Sequence, residues 1–507
     1  MYDCIIFTDI TETVLVYKAI GAYKCANQLR KNGYSCLVVD YLHEFTLEEF
    51  KRVIDSAVSD KTVMIGFSTT FMLDTSGEHD SSNIVYKTLP DGVFFPQGKE
   101  FENLAVDYIK SKNSKCAIAV GGAKTHPNYN SKNADYAFLG FSESSIVNVV
   151  SYLKTGVPVQ YSYTNVWGVT IIDDKTASNY DFSGSSFEWE ESDVLNAKVL
   201  PIEMARGCIF KCKFCSYPLI GKKKLDFIKS SDALHRELQT AYDKFGVKNF
   251  FIIDDTFNDS EYKLDLVLDA VKQLSFQPYF WAYARLDLIA RDMRLFDKLY
   301  QIGVRSFYFG IETIDNDAGR IIGKGYDKEK LVEAIRQMRT KYPDVLLHGS
   351  LIIGLPEETL ESCQSTFDRI MSQDIPLHSF NFKGLQLFSA NKVTWNSELS
   401  ANFRDYGYEE IPETSSSNRI DFNWKNKYTT RDEASALSKK FNSVCMQSEL
   451  FHIPGQAVWG MLNFDKEYDQ ISKIKYKNVD WGHMYNSKKQ FIQDYKINLF
   501  NILEIIS

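Results

Sequence analysis

Short apolar runs and helical periodicities alternate from residue 3 to about 155, and again six times from 198 to about 390. This rhythm predicts an α/β protein. The first block reads as a doubly wound, Rossmann-like parallel sheet covered on both faces, because its strands are continuous apolar runs rather than alternating ones. The second reads as a (β/α)6 partial TIM barrel, and a mainly helical region follows it. The expected division is 1–155, a linker at 156–197, a barrel at 198–390 and a helical capping region at 391–507.

In the first block, residues 3–9 read as a buried strand. Residues 14–31 have helical periodicity, and Gly33 stops it before a strand at 35–40. Thr46 with Glu49 forms a capping box for the next helix, and 62–68 is a third strand. A helix at 101–112, strands at 116–120 and 135–139, and a helix from Ser144 complete the alternation. Residues 72–100 form a polar insertion of a length that is usually functional or disordered. Residues 156–197 are rich in Ser, Asn and Asp and end in an acidic run, Glu188 to Asp193.

In the second block, strands are expected at 199–205, 248–254, 279–284, 304–310, 345–353 and 380–388. Helices are expected at 230–245, 260–274, 290–301, 327–341 and 358–372, with the position of a sixth left open. Beyond 390, Thr430 and Glu433 cap a helix running to about Ser448, and the chain ends in an amphipathic helix. The expected task of this last region is to close the barrel over its contents.

Composition excludes several classes. The chain has 44% hydrophobic and 24% charged residues, and 58 basic against 66 acidic residues give a net charge of −8, so no basic footprint points to nucleic acid. No apolar run reaches membrane-spanning length and the first residues lack the positive flank of a signal peptide, so no membrane partner is expected and the expected location is cytoplasmic. Nine cysteines, odd in number and mostly scattered, do not form a disulfide framework.

Three of them, Cys208, Cys212 and Cys215, have CxxxCxxC spacing at the end of the first barrel strand. Three thiolates can converge on one metal centre, yet they fall one short of a tetrahedral structural zinc site. A four-iron cubane can be held at three corners and left open at the fourth. The alternatives are a buried cysteine cluster or a zinc site completed by the distant His235.

The other strand ends also carry polar residues, where parallel barrels place their sites. Asp254 and Asp255 end the second strand, either to bond a cofactor or substrate hydroxyl or, for Asp255 especially, to cap the next helix. Arg285 ends the third, as a partner for a substrate or cofactor carboxylate or in a buried pair with Asp287 or Asp254. Glu312 ends the fourth in Gly310-Ile-Glu312, and the fifth runs into Gly354-Leu-Pro-Glu-Glu-Thr359. In the first block, Ser68-Thr69-Thr70 could bond a nucleotide or cap a loop, and Gly121-Gly122 could admit a cofactor tail or merely make a sharp turn.

The motif Arg206-Gly-Cys208-x3-Cys212-x2-Cys215, with Phe214 before the last cysteine, together with Gly-Ile-Glu and Gly-Leu-Pro-Glu-Glu-Thr, resembles the radical S-adenosylmethionine (radical SAM) superfamily. The element order of residues 1–155, with Ile65-Gly-Phe-Ser68, Val120-Gly-Gly122 and Gly140-Phe-Ser-Glu143, resembles the cobalamin-binding domain that precedes many such cores. The resemblance implies a [4Fe-4S] cluster on Cys208, Cys212 and Cys215, and S-adenosylmethionine contacts at Phe214, Asp254, Glu312 and Gly354. It also implies cobalamin contacts at Ser68, Thr69, Gly121 and Gly122; the expected substrate contact at Arg285 rests on its place at a strand end. The implied activity is reductive cleavage of S-adenosylmethionine to a 5′-deoxyadenosyl radical, followed by cobalamin-dependent methylation of an unactivated carbon of a small molecule. An electron donor such as flavodoxin or ferredoxin would feed it. The alternatives are cyclisation or rearrangement with no cobalamin bound, or a non-catalytic iron–sulfur or zinc module. Two departures stand out: Glu357 replaces a glycine of the fifth-strand motif, and the loop after the first strand reads Asp9-Ile-Thr-Glu-Thr-Val without the histidine of DxHxxG.

Overall fold

The computed structural model describes residues 1–10, 14–68, 99–122, 125, 133–159, 162–174, 180–217, 219–324, 327–389, 396–412, 421–464 and 466–506. The expected insertion at 72–100 lies almost wholly outside them. The chain divides into two compact units, one of Met1–Asp181, Phe187–Ala197 and Gly482–Ser507, the other of Phe182–Ser186 and Lys198–Trp481.

The first unit is built on β1 (Cys4–Phe7), β2 (Cys36–Val39), β3 (Met64–Ser68), β4 (Ala117–Gly121), β5 (Tyr136–Gly140), β6 (Ser162–Thr164) and β7 (Thr170–Asp174). Their order is β2-β1-β3-β4-β5-β7-β6, and only β6 runs antiparallel to its neighbour. The 2-1-3-4-5 core is a doubly wound topology, whose crevice lies at the carboxyl ends of β1 and β3. Strands β1 to β4 are buried on both faces over most of their length, as their unbroken apolar runs require, and Phe7 packs against Phe50 and Phe67 at ring distances of 5.2 and 5.3 Å. The helix from Leu47 starts at Thr46 in the expected capping box with Glu49.

Three expectations for this unit are corrected. The helix expected from residue 14 begins at Ile20, because Lys18 is drawn into a buried cluster, 3.2 Å from Tyr23 Oη and over the rings of Tyr41 and Tyr495. The stretch 156–197 is not a linker: β7 pairs with β5 and carries β6 outward, while the acidic run brings Asp193 to a buried bidentate pair with Arg30. The terminal helix, Trp481–Ile506, belongs from Gly482 onward to this unit rather than to a cap over the barrel. Tyr495 Oη accepts from the Asp40 amide at 2.8 Å, and Lys496 donates to the Glu44 carbonyl at 2.6 Å and to Glu49 at 2.8 Å.

The second unit is a six-stranded parallel sheet in sequence order: β8 (Val199–Ile202), β9 (Asn249–Ile252), β10 (Tyr279–Ala284), β11 (Val304–Glu312), β12 (Leu346–Ile353) and β13 (Ser379–Gly384). Helices Ser231–Phe245, Glu261–Lys272, Arg294–Ile302, Lys328–Lys341 and Leu360–Met371 follow the first five strands. The sixth barrel helix is Arg431–Gln447, which starts in the expected Thr430–Glu433 box. Asn442 bonds both the amide and the carbonyl of Phe382 on β13 at 2.8 Å, and Phe441 stacks on Phe367 at 4.1 Å.

Residues 451–468 seal the amino ends of the barrel strands, opposite to the side that parallel barrels use for chemistry. Trp459 Nε1 donates to the Phe250 carbonyl at 3.0 Å, Tyr468 Oη to the Arg305 carbonyl at 2.8 Å, and Asn463 Oδ1 accepts from the amides of Lys198 and Val199 at 2.8 and 3.1 Å. Helix Gly455–Met461 starts hard against the sheet, so that a Cβ on Gly455 would lie 1.6 Å from Ser306 Oγ. Overpacking of this kind costs about 1 to 3 kcal/mol. Gly455→Ala should therefore lower the thermal unfolding midpoint of the barrel unit by several degrees, measured by calorimetry against the parent chain.

Candidate active site

The cysteine loop leaves β8 through Gly207, whose φ is +69° and where a Cβ would lie 2.6 Å from the Leu219 carbonyl oxygen, so that both exclude a side chain. Residues 208–210 then fold back on 219–222: the Gly221 amide donates to the Cys208 carbonyl at 2.7 Å and the Lys222 amide to the same oxygen at 3.3 Å. The far side of the loop is fixed by Lys213, whose amide donates to Ile322 and whose carbonyl accepts from Leu399, at 3.0 and 2.8 Å.

Asp254 anchors this loop. One carboxylate oxygen accepts from the amides of Met204 and Ala205 at 2.8 and 3.0 Å, and the other faces Lys263 Nζ at 3.2 Å. Lys263 is fully buried, pairs with Asp259 at 2.8 Å and donates to the Thr256 carbonyl at 2.8 Å. The hydroxyl of Thr256 in turn lies 3.3 Å from Cys208 Sγ. Asp254 therefore serves the loop's own backbone.

Arg285, at the end of β10, grips Asp287 through two bonds of 2.9 and 3.0 Å, stacks on Phe210 at 3.9 Å and donates through Nη1 to Cys212 Sγ at 3.3 Å. Of the two readings of Arg285, the structure shows the buried pair with Asp287, while the remaining arm supports a cysteine. Burial raises the Cys208 thiol above its ordinary value against the opposing bond from Thr256. Burial also lifts Cys215 to about 11, with the other two thiols adding to it. Three thiolates crowded together disfavour one another unless a cationic centre compensates. His235 lies on the outer helix Ser231–Phe245, with Nδ1 3.4 Å from the Ala270 carbonyl of the next helix.

Glu312 ends β11 at a register shift, with φ of +65°, a left-handed conformation that costs a branched or long side chain about 1 kcal/mol or more. It is held there by Lys324, which reaches Oε1 at 3.1 Å, also bonds the Gly310 carbonyl, and lies 6.0 Å from the Phe214 ring. Oε2 has no partner among the described residues. Thr313, next in the chain, donates to the buried Glu358 at 2.5 Å. Burial lifts that carboxyl to about 7.

At the end of β12, Gly354 has φ of +93°, and a Cβ there would lie 2.5 Å from the Trp424 ring. Tyr408 donates to the Gly354 carbonyl at 2.6 Å. Glu357 takes φ of +64° and accepts from Tyr428 at 2.9 Å, so this substituted position keeps the backbone of a glycine.

For Asp255 the sequence left a ligand contact and a helix cap open. The next helix is capped by Ser260, so Asp255 is not needed as a cap. Its half-buried carboxylate makes no bond among the described residues, within electrostatic range of Cys215 and Tyr217. Burial first, then Asp254, raises it to about 6. Deeper in the barrel a ladder of rings lines the inner face: Phe251 stacks on Trp281 at 4.0 Å, Tyr283 meets Tyr308 at 5.0 Å, and Tyr308 meets His348 at 4.8 Å. A period-2 count along these strands places all of them on one face.

In the first unit, Ser68, Gly121 and Gly122 stand at the ends of β3 and β4, and Gly122 has φ of +117°. Thr69 lies outside the described residues. At the same edge, Thr8 Oγ1, Asp9 Oδ1 and Ser145 Oγ are buried without partners among the described residues. Asp9 Oδ2 bonds His43 Nδ1, while His43 Nε2 faces Glu44 at 2.9 Å, so both ring nitrogens of this histidine are engaged.

Residues 202–370 match the profile of the radical SAM superfamily. Over 242 residues the chain is 27% identical to an uncharacterized methyltransferase of Pyrococcus horikoshii, covering 46% of this chain and 49% of that one. It is 26% identical over 313 residues to the ribosomal protein uS12 methylthiotransferase RimO of Campylobacter fetus, covering 58% and 66%. The chain thus spans about half to two thirds of the length of these relatives. The radical S-adenosylmethionine methyltransferase TsrM of Kitasatospora setae, solved with cobalamin and a [4Fe-4S] cluster, superimposes with a TM-score of 0.62 over 98% of this chain and 100% of that one, at 12% identity. The cobalamin-dependent radical enzyme OxsB, solved with aqua-cobalamin and S-adenosylmethionine, gives 0.62 over 97% and 72%, also at 12% identity. At that identity the likeness shows the fold.

The His43 imidazole is lowered by burial, but the charge and bond of Asp9 with the bond to Glu44 outweigh it and lift it to about 9. A group raised above its unfolded value of about 6.5 stabilises fully below that pH and loses its contribution as pH rises through about 9. The first unit should be up to about 3 kcal/mol less stable at pH 10 than at pH 6.5 from this group, by urea unfolding, and His43→Gln should remove that part of the pH dependence.

Proposed function

From the membership of residues 202–370 in the radical SAM superfamily, we propose that this enzyme reductively cleaves S-adenosylmethionine and uses the radical in a cobalamin-dependent methylation of a small molecule. A [4Fe-4S] cluster on Cys208, Cys212 and Cys215 would supply the electron for cleavage, and a cobalamin at the first unit's sheet edge would supply the methyl group. The observation that carries the reading is the cysteine loop, pinned by Asp254 and supported at two of its three thiols by Thr256 and Arg285. A structural ornament would not need a hydrogen-bond donor trained on a ligand sulfur, whereas a redox-active cluster is tuned by such bonds.

Around this centre the chain's residues bind and orient. Lys324 holds Glu312 with Oε2 free to accept from an amino or hydroxyl group of the bound cofactor. Phe214 lies beside that pair, and Asp255 offers a second, unpartnered acceptor near Cys215. The sealed floor and the aromatic inner face keep water from the reactive space. For cobalamin, the support is the crevice of the doubly wound sheet with its three orphaned polar atoms, together with the shared fold of TsrM and OxsB over both units.

Replacing Cys208, Cys212 and Cys215 together by Ala should abolish the broad visible absorption of the anaerobically reconstituted protein. A full iron complement in that variant would sink the cluster assignment. Glu312→Gln should keep the cluster and weaken S-adenosylmethionine binding about tenfold or more, the worth of one charge-assisted bond. Reconstitution with and without hydroxocobalamin, reading 5′-deoxyadenosine and S-adenosylhomocysteine together, separates methylation from a cobalamin-free rearrangement. No cobalt retained after desalting, with the cluster intact, would overturn the methylation reading.

A further inference from the structure

Electron entry requires a surface, and the cysteine loop has one. The return strand of the loop, Gly221-Lys-Lys-Lys-Leu225, lies directly beside Cys208 through the Gly221 and Lys222 amides. Lys223, Lys224 and Leu225 are exposed there, Leu225 to 64%. From the other arm of the loop comes Lys211, also exposed, whose stem lies across Gly221: a Cβ on that glycine would be 2.2 Å from Lys211 Cε. Lys211, Lys223 and Lys224 have no acidic partner among the described residues. Lys222 donates to the Asp226 carbonyl at 2.9 Å, and Lys213 is neutralised by Glu398 at 2.5 Å. Five lysines thus stand against Asp226 and Glu398, with Asp255 also within electrostatic range of Lys222 and with Asp254 and Asp259 beside it spent on Lys263, on a chain of net charge −8.

We infer that this basic rim, centred on the exposed Leu225, is the docking surface for a small acidic one-electron carrier protein that reduces the centre held by the cysteine loop. The inference rests on the reading proposed above. Charge complementarity supports it: an acidic carrier is repelled by the chain as a whole, so productive encounter needs a local field of opposite sign. Weak redox complexes bury little area and combine a small apolar spot with a charged surround, as Leu225 and its lysines do. Cys212, between Lys211 and Lys213, is itself half-exposed, so a carrier seated here stands next to the ligand set. One electron leaves the carrier, which is oxidised by one, and enters the centre, which is reduced by one; no bond is made or broken.

The test uses the full chain, anaerobically reconstituted, with a purified low-potential ferredoxin of net negative charge. Two quantities are read: bleaching of the visible absorption on mixing with reduced ferredoxin, and direct ferredoxin binding by calorimetry. The double charge reversal Lys223→Glu with Lys224→Glu should slow bleaching at low ionic strength and weaken binding, each about tenfold or more. The difference should fade at 0.5 M salt, roughly, where screening is nearly complete. Bleaching by dithionite, which needs no docking, should be unchanged, and Lys223→Arg with Lys224→Arg should behave as the parent. Equal ferredoxin-driven rates in parent and charge-reversed protein, or a salt-independent parent, would overturn the inference. Failure of dithionite to bleach the parent would instead overturn the cluster reading, and this inference with it.

Discussion

The carboxylate of Asp254 is the point on which the barrel mouth depends. A buried carboxylate without partners is strongly disfavoured, and here two backbone amides and an ammonium offset its desolvation. The two amides belong to the residues that lead into the cysteine loop. The ammonium belongs to Lys263, whose bond to the Thr256 carbonyl places the Thr256 hydroxyl at Cys208. One charge pair therefore sets where the loop starts, the angle at which it leaves the sheet and the surroundings of its first thiol. The same logic recurs at β10, where Asp287 fixes Arg285 so that one arm reaches Cys212.

Because most charged groups of the mouth are spent on each other, those left over stand out. Glu312 keeps one oxygen free in a strained turn, and Asp255 keeps its whole carboxylate. Strain at a strand end persists only where the surroundings over-determine it, and Lys324 together with the Thr313–Glu358 bond does so here. The two ends of the barrel are accordingly unlike. The floor is closed by hydrogen bonds from Trp459, Tyr468 and Asn463 to strand-end backbone, while the mouth carries the polar groups.

The first unit uses buried charge differently. Arg30 with Asp193 and His43 with Asp9 tie chain segments far apart in sequence to the same sheet, and Lys496 does so for the terminal helix. Among the described residues, Thr8 Oγ1, Asp9 Oδ1 and Ser145 Oγ have no partner and lie at the carboxyl edge where doubly wound sheets take their ligands.

The order of strands and helices, the capping boxes at Thr46 and Thr430 and the cysteine spacing were all legible in the sequence, because periodicity, caps and short-range spacing are local properties. So was the placing of Glu312 at the end of β11. Partner choice was legible only in part. Sequence reasoning left Asp254 and Arg285 between a ligand and a structural partner, naming Asp287 for the latter, and read Gly354 as a place of close approach. The fold gave them to Met204 and Lys263, to Asp287 and Cys212, and to Trp424. It also moved β6, β7 and the terminal helix into the first unit, and supplied the sixth barrel helix from residues 431–447, well beyond β13. Apart from the Arg285–Asp287 pair, these are long-range pairings, decided by which buried groups can satisfy one another once the layers are packed, and no local pattern encodes that. The sequence by itself determined which residues could do chemistry; only the tertiary structure decided which of them were left free to do it.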